Sequence, residues 1–241
     1  MLYLFLRFMI GSALFSFACC TADRSLRSES FVRGRSHCDS CGHVLSFRDM
    51  IPVLSWLLRK GRCRWCGARI PVHVFVWEAA GGILCVLILQ YGEGVLFHRW
   101  MLFLYVSVLM IMSRIDRKTC RIPVFLQYWS AVPVVLDVLM VQDHPAESVC
   151  WVFVIAGLAL INRIRPVMGN GDFKLLGIGA LLLGKRIVPV FVLSMWTGIP
   201  VILIRRFRGI RSGRLPYVPL YTCGLLVVMF GLDQILFALV T

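Results

Sequence analysis

The chain has 241 residues, is 59% hydrophobic and carries a mean hydropathy of +0.81, against roughly 45–50% apolar content in soluble domains. That excludes a soluble globular domain and leaves a polytopic membrane protein. The formal net charge of +14 does not require nucleic acid, because the basic residues lie in loops between apolar runs, where membrane topology itself calls for them.

The first apolar run covers about 1–22. Phe17-Ala18-Cys19 loosely resembles a lipoprotein cleavage site, but a cleaved signal has its positive charges before the apolar run. Here only Arg7 comes early and a dense basic segment comes after, so a retained first span with its N-terminus outside is expected. Residues 23–71 are the only sizeable polar segment, too short to bury a large core without a cross-link. Within it, Cys38-Asp39-Ser40-Cys41 and Cys63-Arg64-Trp65-Cys66 form two CxxC pairs 21 residues apart, each followed by a glycine, Gly42 and Gly67. Four thiolates so arranged fill a tetrahedral Zn²⁺ site and leave no open position, which makes the metal structural. An iron site or a redox pair is the alternative. His37 and His43 stand nearby as substitute ligands and are expected to face solvent. The remaining cysteines, Cys19, Cys20, Cys85, Cys120, Cys150 and Cys223, lie in or beside apolar runs and are expected to be small packing residues.

Further apolar runs follow at about 72–91, 95–113, 122–141, 148–162, 172–184, 187–204 and 216–241, making about eight transmembrane helices. Taking 172–204 as one span would strand Lys185 and Arg186 in mid-membrane, so two short spans joined by a tight outer turn are expected. Of the 26 Lys and Arg, only Arg7, Arg99, Lys185 and Arg186 fall on one set of alternate segments. The others, among them Arg33, Arg117, Arg121, Arg163, Arg165, Lys174, Arg205, Arg208, Arg211 and Arg214, mark the cytoplasmic side, with both termini outside.

Carboxylates at the edge of hydrocarbon are functional candidates. Asp116 ends span three and Asp172 begins span six, within Gly169-Asn170-Gly171-Asp172-Phe173-Lys174. Both therefore lie at one depth on the cytoplasmic side and meet if the two helices pack. Gly169 and Gly171 permit a close approach of backbone to substrate; Lys174 is a surface anchor or a steering charge. Two adjoining aspartates share a proton. One can then take a proton from water while the other donates to a peptide carbonyl. Glu78, in the first turns of span two, has a functional role or an ordinary interfacial pairing with Arg. Asp137 and Asp233 are expected at solvated outer helix ends.

Gly11-Ser12, SHCDSCGH at 36–43, DMIPVLSWLLRKGRCRWCGARI at 49–70, Glu78, Asp116 with Ile122-Pro123, GNGDFKLL at 169–176 and LPYVPL at 215–220 together resemble the prepilin peptidases, the type IV leader peptidase family of polytopic aspartyl proteases. The resemblance implies an all-α bundle in the bacterial inner membrane with a small cytoplasmic zinc-binding insert. The implied domains are 1–92 (span one, the tetracysteine module 23–71 and span two), the peptidase core 95–206, and a basic loop with the last span at 207–241. It implies Asp116 and Asp172 as the catalytic pair, Gly169, Gly171 and Lys174 as supporting loop, Cys38, Cys41, Cys63 and Cys66 as zinc ligands, and a prepilin or pseudopilin leader as substrate. Many members also methylate the new N-terminus with S-adenosylmethionine, which makes Glu78 a candidate for a substrate or methylation role. Two positions depart from the family pattern: Ser16 stands where span one usually has Asn, and Val124 follows Ile-Pro where Asn is common. A non-enzymatic assembly factor that docks through the zinc module, with Asp116 paired to Arg114, Arg117 or Arg121, is the rival. A metal or proton transporter would place its acids at the midplane.

Overall fold

The computed structural model describes all residues except 28, 31–33, 142–144, 165–167, 208–214 and 232–241. Arg33, Arg165, Arg208, Arg211, Arg214 and Asp233 thus lie outside the described residues. Among those described the protein is helical, without a strand: α1 Leu2–Leu26, α2 Leu54–Leu58, α3 Val72–Tyr91, α4 Leu96–Thr119, α5 Val124–Met140, α6 Pro145–Ile164, α7 Asn170–Leu183, α8 Ile187–Phe207 and α9 Tyr217–Met229. Helices α1, α3, α4 and α6 and the stretch Asn170–Phe207 are long and apolar enough to cross a membrane, and α5 and α9 are shorter apolar helices. The chain is an all-helical polytopic membrane protein, divided into two units, Met1–Gln90 and Tyr91–Thr241.

In the first unit, α1 and α3 approach through glycine. A Cβ on Gly11 would overlap Gly81 O and Cys85 Cβ, and one on Gly81 would overlap the Phe15 side chain. Small residues let helix backbones come this close where lipid supplies no hydrophobic drive for association. Gly81→Ala should therefore lower stability by ~1–3 kcal/mol through overpacking, read as an earlier thermal transition in detergent. Gly157→Ala, which meets nothing within 4 Å, should be silent.

In the second unit, α4 is the central element, with Phe103, Tyr105, Val106, Leu109 and Met112 fully buried. Helix α4 packs on α5 and α9, α9 on α8, and α7 on α5 and α6. It runs past the expected limit of the apolar run because the charged turn Arg114–Lys118 keeps its backbone hydrogen bonds. It stops at Cys120, which is left-handed (φ 50°), just ahead of Ile122-Pro123, where helical geometry is disfavoured before proline. Between α7 and α8 the chain breaks at Gly184 (φ +55°), followed by a 3₁₀ turn to Arg186. Lys185 and Arg186 are exposed there, and Arg186 pairs with Glu93 on the loop before α4. The expected break between two short spans is thus present.

Asp137 corrects an expectation. It is not a solvated helix end: α5 continues to Met140 and leaves Asp137 fully buried against the first turns of α4. There its Oδ2 lies 2.8 Å from His98 Nδ1.

Candidate active site

Asp116 occupies the last turns of α4 and is 4% exposed. Its Oδ2 accepts a 3.0 Å hydrogen bond from the Val218 N–H. Val218 is the second residue of α9, whose start is set by Pro216 (φ −67°) and whose third position is Pro219. Proline in a first turn has a preset φ and no N–H to satisfy. The Val218 N–H is thus one of the helix's uncommitted donors, and the carboxylate sits at the favourable end of the α9 dipole. The partner of Asp116 is main chain, and LPYVPL gains a physical reason.

Helix α9 is itself held from several sides. Tyr221 Oη lies 3.0 Å from Tyr105 Oη of α4, Thr222 Oγ1 lies 3.2 Å from Ser113 Oγ, and Tyr217 Oη lies 3.2 Å from Ser194 Oγ of α8. A Cβ on Gly179 would overlap Tyr221 Oη, so α7 also has to be bare where it meets this cluster.

Asp172 is half-buried in the first turn of α7, which begins after Gly169 in extended conformation. Its N–H donates to Gly169 O at 3.0 Å. The carboxylate folds back over the same residue, where a Cβ on Gly169 would lie 3.0 Å from Oδ2. Gly171 faces α5, and a Cβ there would lie 3.1 Å from Gln127 Nε2. A side chain at either glycine would thus press on its neighbour, which would have to give by a few tenths of an ångström. Asp116 and Asp172 lie within coulombic reach of one another, and Asp172 within reach of the Tyr217 side chain. Two carboxylates so placed feel one another's charge, so one can serve as acid and the other as base toward a water molecule. Lys174 is exposed.

Two buried amides at this site escape sequence reasoning, although a polar amide inside an apolar run is a detectable signal. Gln127 lies under Gly171. Asn162, at the end of α6, brackets the approach to α7: its Nδ2 donates to Met168 O at 2.9 Å and its Oδ1 accepts from Met168 N–H at 3.1 Å. Asn162→Ala should leave both Met168 groups unpaired, at ~1–3 kcal/mol for such a loss. The expected readout is faster amide exchange over 168–173, with the exchange of α4 unchanged.

In the first unit, Glu78 is buried and both its oxygens are engaged. Oε1 accepts from Ser16 Oγ and Oε2 from Val53 N–H, each at 2.7 Å. Ser16, the position that departs from the family pattern, still supplies a donor. Val53 sits at φ +62°, a conformation rare for a β-branched residue, so Glu78 secures a strained turn of the 23–71 segment.

The sulfurs of Cys38, Cys41, Cys63 and Cys66 lie within 4.8 Å of one another and could hold a metal ion. They are presented by two matching turns. Gly42 N–H donates to Cys38 O and Gly67 N–H to Cys63 O; the Cys38 and Cys63 N–H groups donate to His43 O and Ala68 O. Gly42 and Gly67 both have φ +70°, which glycine adopts without penalty. Main-chain N–H groups of Cys66 and Trp65 bring the Cys63 thiol down to about 6. The Cys66 sulfur receives the Ala68 N–H, yet burial and the neighbouring Cys41, Cys63 and Cys38 sulfurs push it up to about 11. Four crowded thiols ionise together only around a cation.

Two family models match the chain: the bacterial peptidase A24 N-terminal domain over residues 9–91 and the type IV leader peptidase family over residues 103–203. A prepilin leader peptidase/N-methyltransferase of Vibrio cholerae is 33% identical over 66% of this chain and 66% of its own length. One of Myxococcus xanthus is 42% identical over 32% of the chain and 23% of its own length. One of Bacillus subtilis is 27% identical over 93% of both. The matched stretch thus spans just under two thirds of the first relative and about a quarter of the second. No solved structure matches.

Proposed function

The chain belongs to the type IV leader peptidase family, and from that premise we propose that it is a membrane-embedded aspartyl endopeptidase. It removes the short basic leader from type IV prepilins or pseudopilins at the cytoplasmic face of the inner membrane. The observation that carries the proposal is the convergence of Asp116 from α4 and Asp172 from α7 within range of each other's charge. The ionised carboxylate takes a proton from water as that water attacks the scissile carbonyl. The protonated carboxyl donates to the carbonyl oxygen, and the new N-terminal amine leaves with a proton. Val218 N–H holds Asp116 in register, Gly169 and Gly171 keep the loop thin enough for a peptide to approach, and Lys174 anchors it at the interface. The cytoplasmic assignment is supported by Arg117, Lys118, Arg121, Arg163, Lys174, Arg205 and Arg206, which cluster at the helix ends on the side of the aspartates as the positive-inside rule requires. A basic leader then stays in water, the apolar helix after it stays in lipid, and the bond to be cut lies between them.

For the four-cysteine cluster the proposed ion is Zn²⁺ in a structural role. A tetrahedron with Zn–S of ~2.3 Å needs sulfurs roughly 3.8 Å apart; Cys38 and Cys66 are at 3.9 Å. The relatives' names pair peptidase with N-methyltransferase, and we extend the second activity to this chain, with S-adenosylmethionine supplying the methyl group. Glu78 then serves substrate binding or methylation as a positioning residue, acting through Ser16 and the Val53 turn.

The test is mass spectrometry of the N-terminus of a prepilin incubated with the purified full-length protein and S-adenosylmethionine. A methylated residue at the new N-terminus left by leader removal is expected. Intact prepilin would overturn the peptidase assignment, and a cut but unmethylated N-terminus would remove the methylation half alone.

A further inference from the structure

We propose that Cys19, Asp23 and His73 form a second transition-metal site, separate from the four-cysteine cluster, with three protein ligands and one open position. Cys19 and Asp23 stand four residues apart on α1 and therefore share a face. His73 is the second residue of α3. One ligand atom from each lies within 4.8 Å of the other two, and Cys19 Sγ is 3.9 Å from Asp23 Oδ2. Around Zn²⁺, with bonds of ~2.0–2.3 Å, such donors stand roughly 3.3–3.8 Å apart. The Cys19–Asp23 pair is thus already close to that separation.

The donor set selects the ion. A thiolate with an imidazole and a carboxylate disfavours Mg²⁺ and Ca²⁺ and suits Zn²⁺ or Co²⁺. Exposure rises across the three, from buried Cys19 through half-buried Asp23 to exposed His73. The fourth position thus opens on the solvent side, where water or an external ligand can enter, unlike the closed four-cysteine cluster. On binding, the Cys19 proton goes to solvent, Asp23 enters as carboxylate and His73 as neutral imidazole, so a divalent ion meets two negative charges.

The position gives the site a structural consequence. The segment with both CxxC pairs leaves α1 just after Asp23 and returns to α3 just before His73. A metal there closes the neck of that loop and removes freedom from its ends. The competing account is an Asp23–His73 ion pair with the Cys19 thiol donating to Asp23, and no metal.

The experiment measures bound Zn²⁺ and Cys19 alkylation in the full-length protein, for wild type, His73→Ala and Cys41→Ser. Two zinc ions per chain are expected in wild type. One is expected in His73→Ala, with the four-cysteine ion retained, and one in Cys41→Ser, held at the second site. Zinc should slow alkylation of Cys19 in wild type and not in His73→Ala, and this measurement decides the matter even where Cys41→Ser misfolds. Equal zinc content in wild type and His73→Ala, with Cys19 alkylation indifferent to zinc, would leave only the ion pair. Failure of the four-cysteine assignment reads separately, as zinc content unaffected by Cys41→Ser.

Discussion

Asp116→Asn and Asp172→Asn should each abolish leader removal while membrane insertion persists. The general acid–base contribution at stake is ~10²–10⁴-fold per residue, and the double variant should be no worse than either single one, because the two groups act as a unit. Asparagine is the informative replacement. Its side-chain oxygen can still accept the Val218 N–H that Asp116 holds at 3.0 Å, so α4 and α9 stay joined, but an amide can neither take a proton from water nor give one to a carbonyl. Alanine at 116 would instead leave the Val218 donor unpaired and mix a stability loss of ~1–3 kcal/mol into the result. A membrane assembly factor would tolerate the neutral amide at both positions. Ratios of precursor to mature pilin from cells with equal levels of each variant therefore separate the two accounts, and undiminished processing by either Asn variant removes the catalytic assignment.

The two aspartates are legible in the sequence because membrane depth is a one-dimensional quantity. Hydropathy and the loop charges put Asp116 and Asp172 on one side at one level without any knowledge of packing. The same signal marks the break near Lys185 and Arg186, and short-range spacing marks the four-cysteine cluster. Faces are not legible. Val218 reaches Asp116 across 102 positions of sequence, and an apolar run of Leu, Val and Ile presents no contrast to say which side turns inward. Asp137 departs from expectation for that reason: its place near the end of a span says nothing of the His98 side chain that covers it from α4. Gln127 and Ser16 are hidden likewise, since what each does depends on a group in another element, and Asn162 acts through main-chain bonds to Met168 that its residue type alone does not announce. Helix α4 outruns its apolar run because hydropathy measures affinity for lipid, whereas a helix ends where its backbone bonding ends.

Removing zinc should unfold the tetracysteine module and leave the spans standing. The module has little core of its own: Phe47, Leu58 and Trp65 are 81%, 83% and 59% exposed. Its ordered parts are the two cysteine turns, a capping box in which Ser46 and Asp49 bond reciprocally, the Asp49–Arg59 pair, and the Trp56–Phe75 stack with ring centroids 4.7 Å apart. The Asp49 carboxyl, held below its usual range by the Ser46 hydroxyl first, adds stability that is lost only as pH falls through its depressed value. The metal contributes more, since binding to comparable structural sites supplies ~10–16 kcal/mol at neutral pH. Acidification acts through the sulfurs as well, because zinc affinity falls as the thiolates are reprotonated. Chelation, Cys63→Ser and mild acid should therefore each expose 36–70 to limited proteolysis, with zinc restoring protection to the chelated wild type but not to Cys63→Ser. The contacts of Glu78 with Ser16 and Val53 mark how far the disorder travels. Ser16 belongs to α1 and keeps its bond, whereas Val53 cannot hold φ +62° once the turn around it is free, so new cuts should begin on the module side of that contact. Resistance of 36–70 to protease in fully zinc-free protein would show that the fold of the module does not depend on the ion.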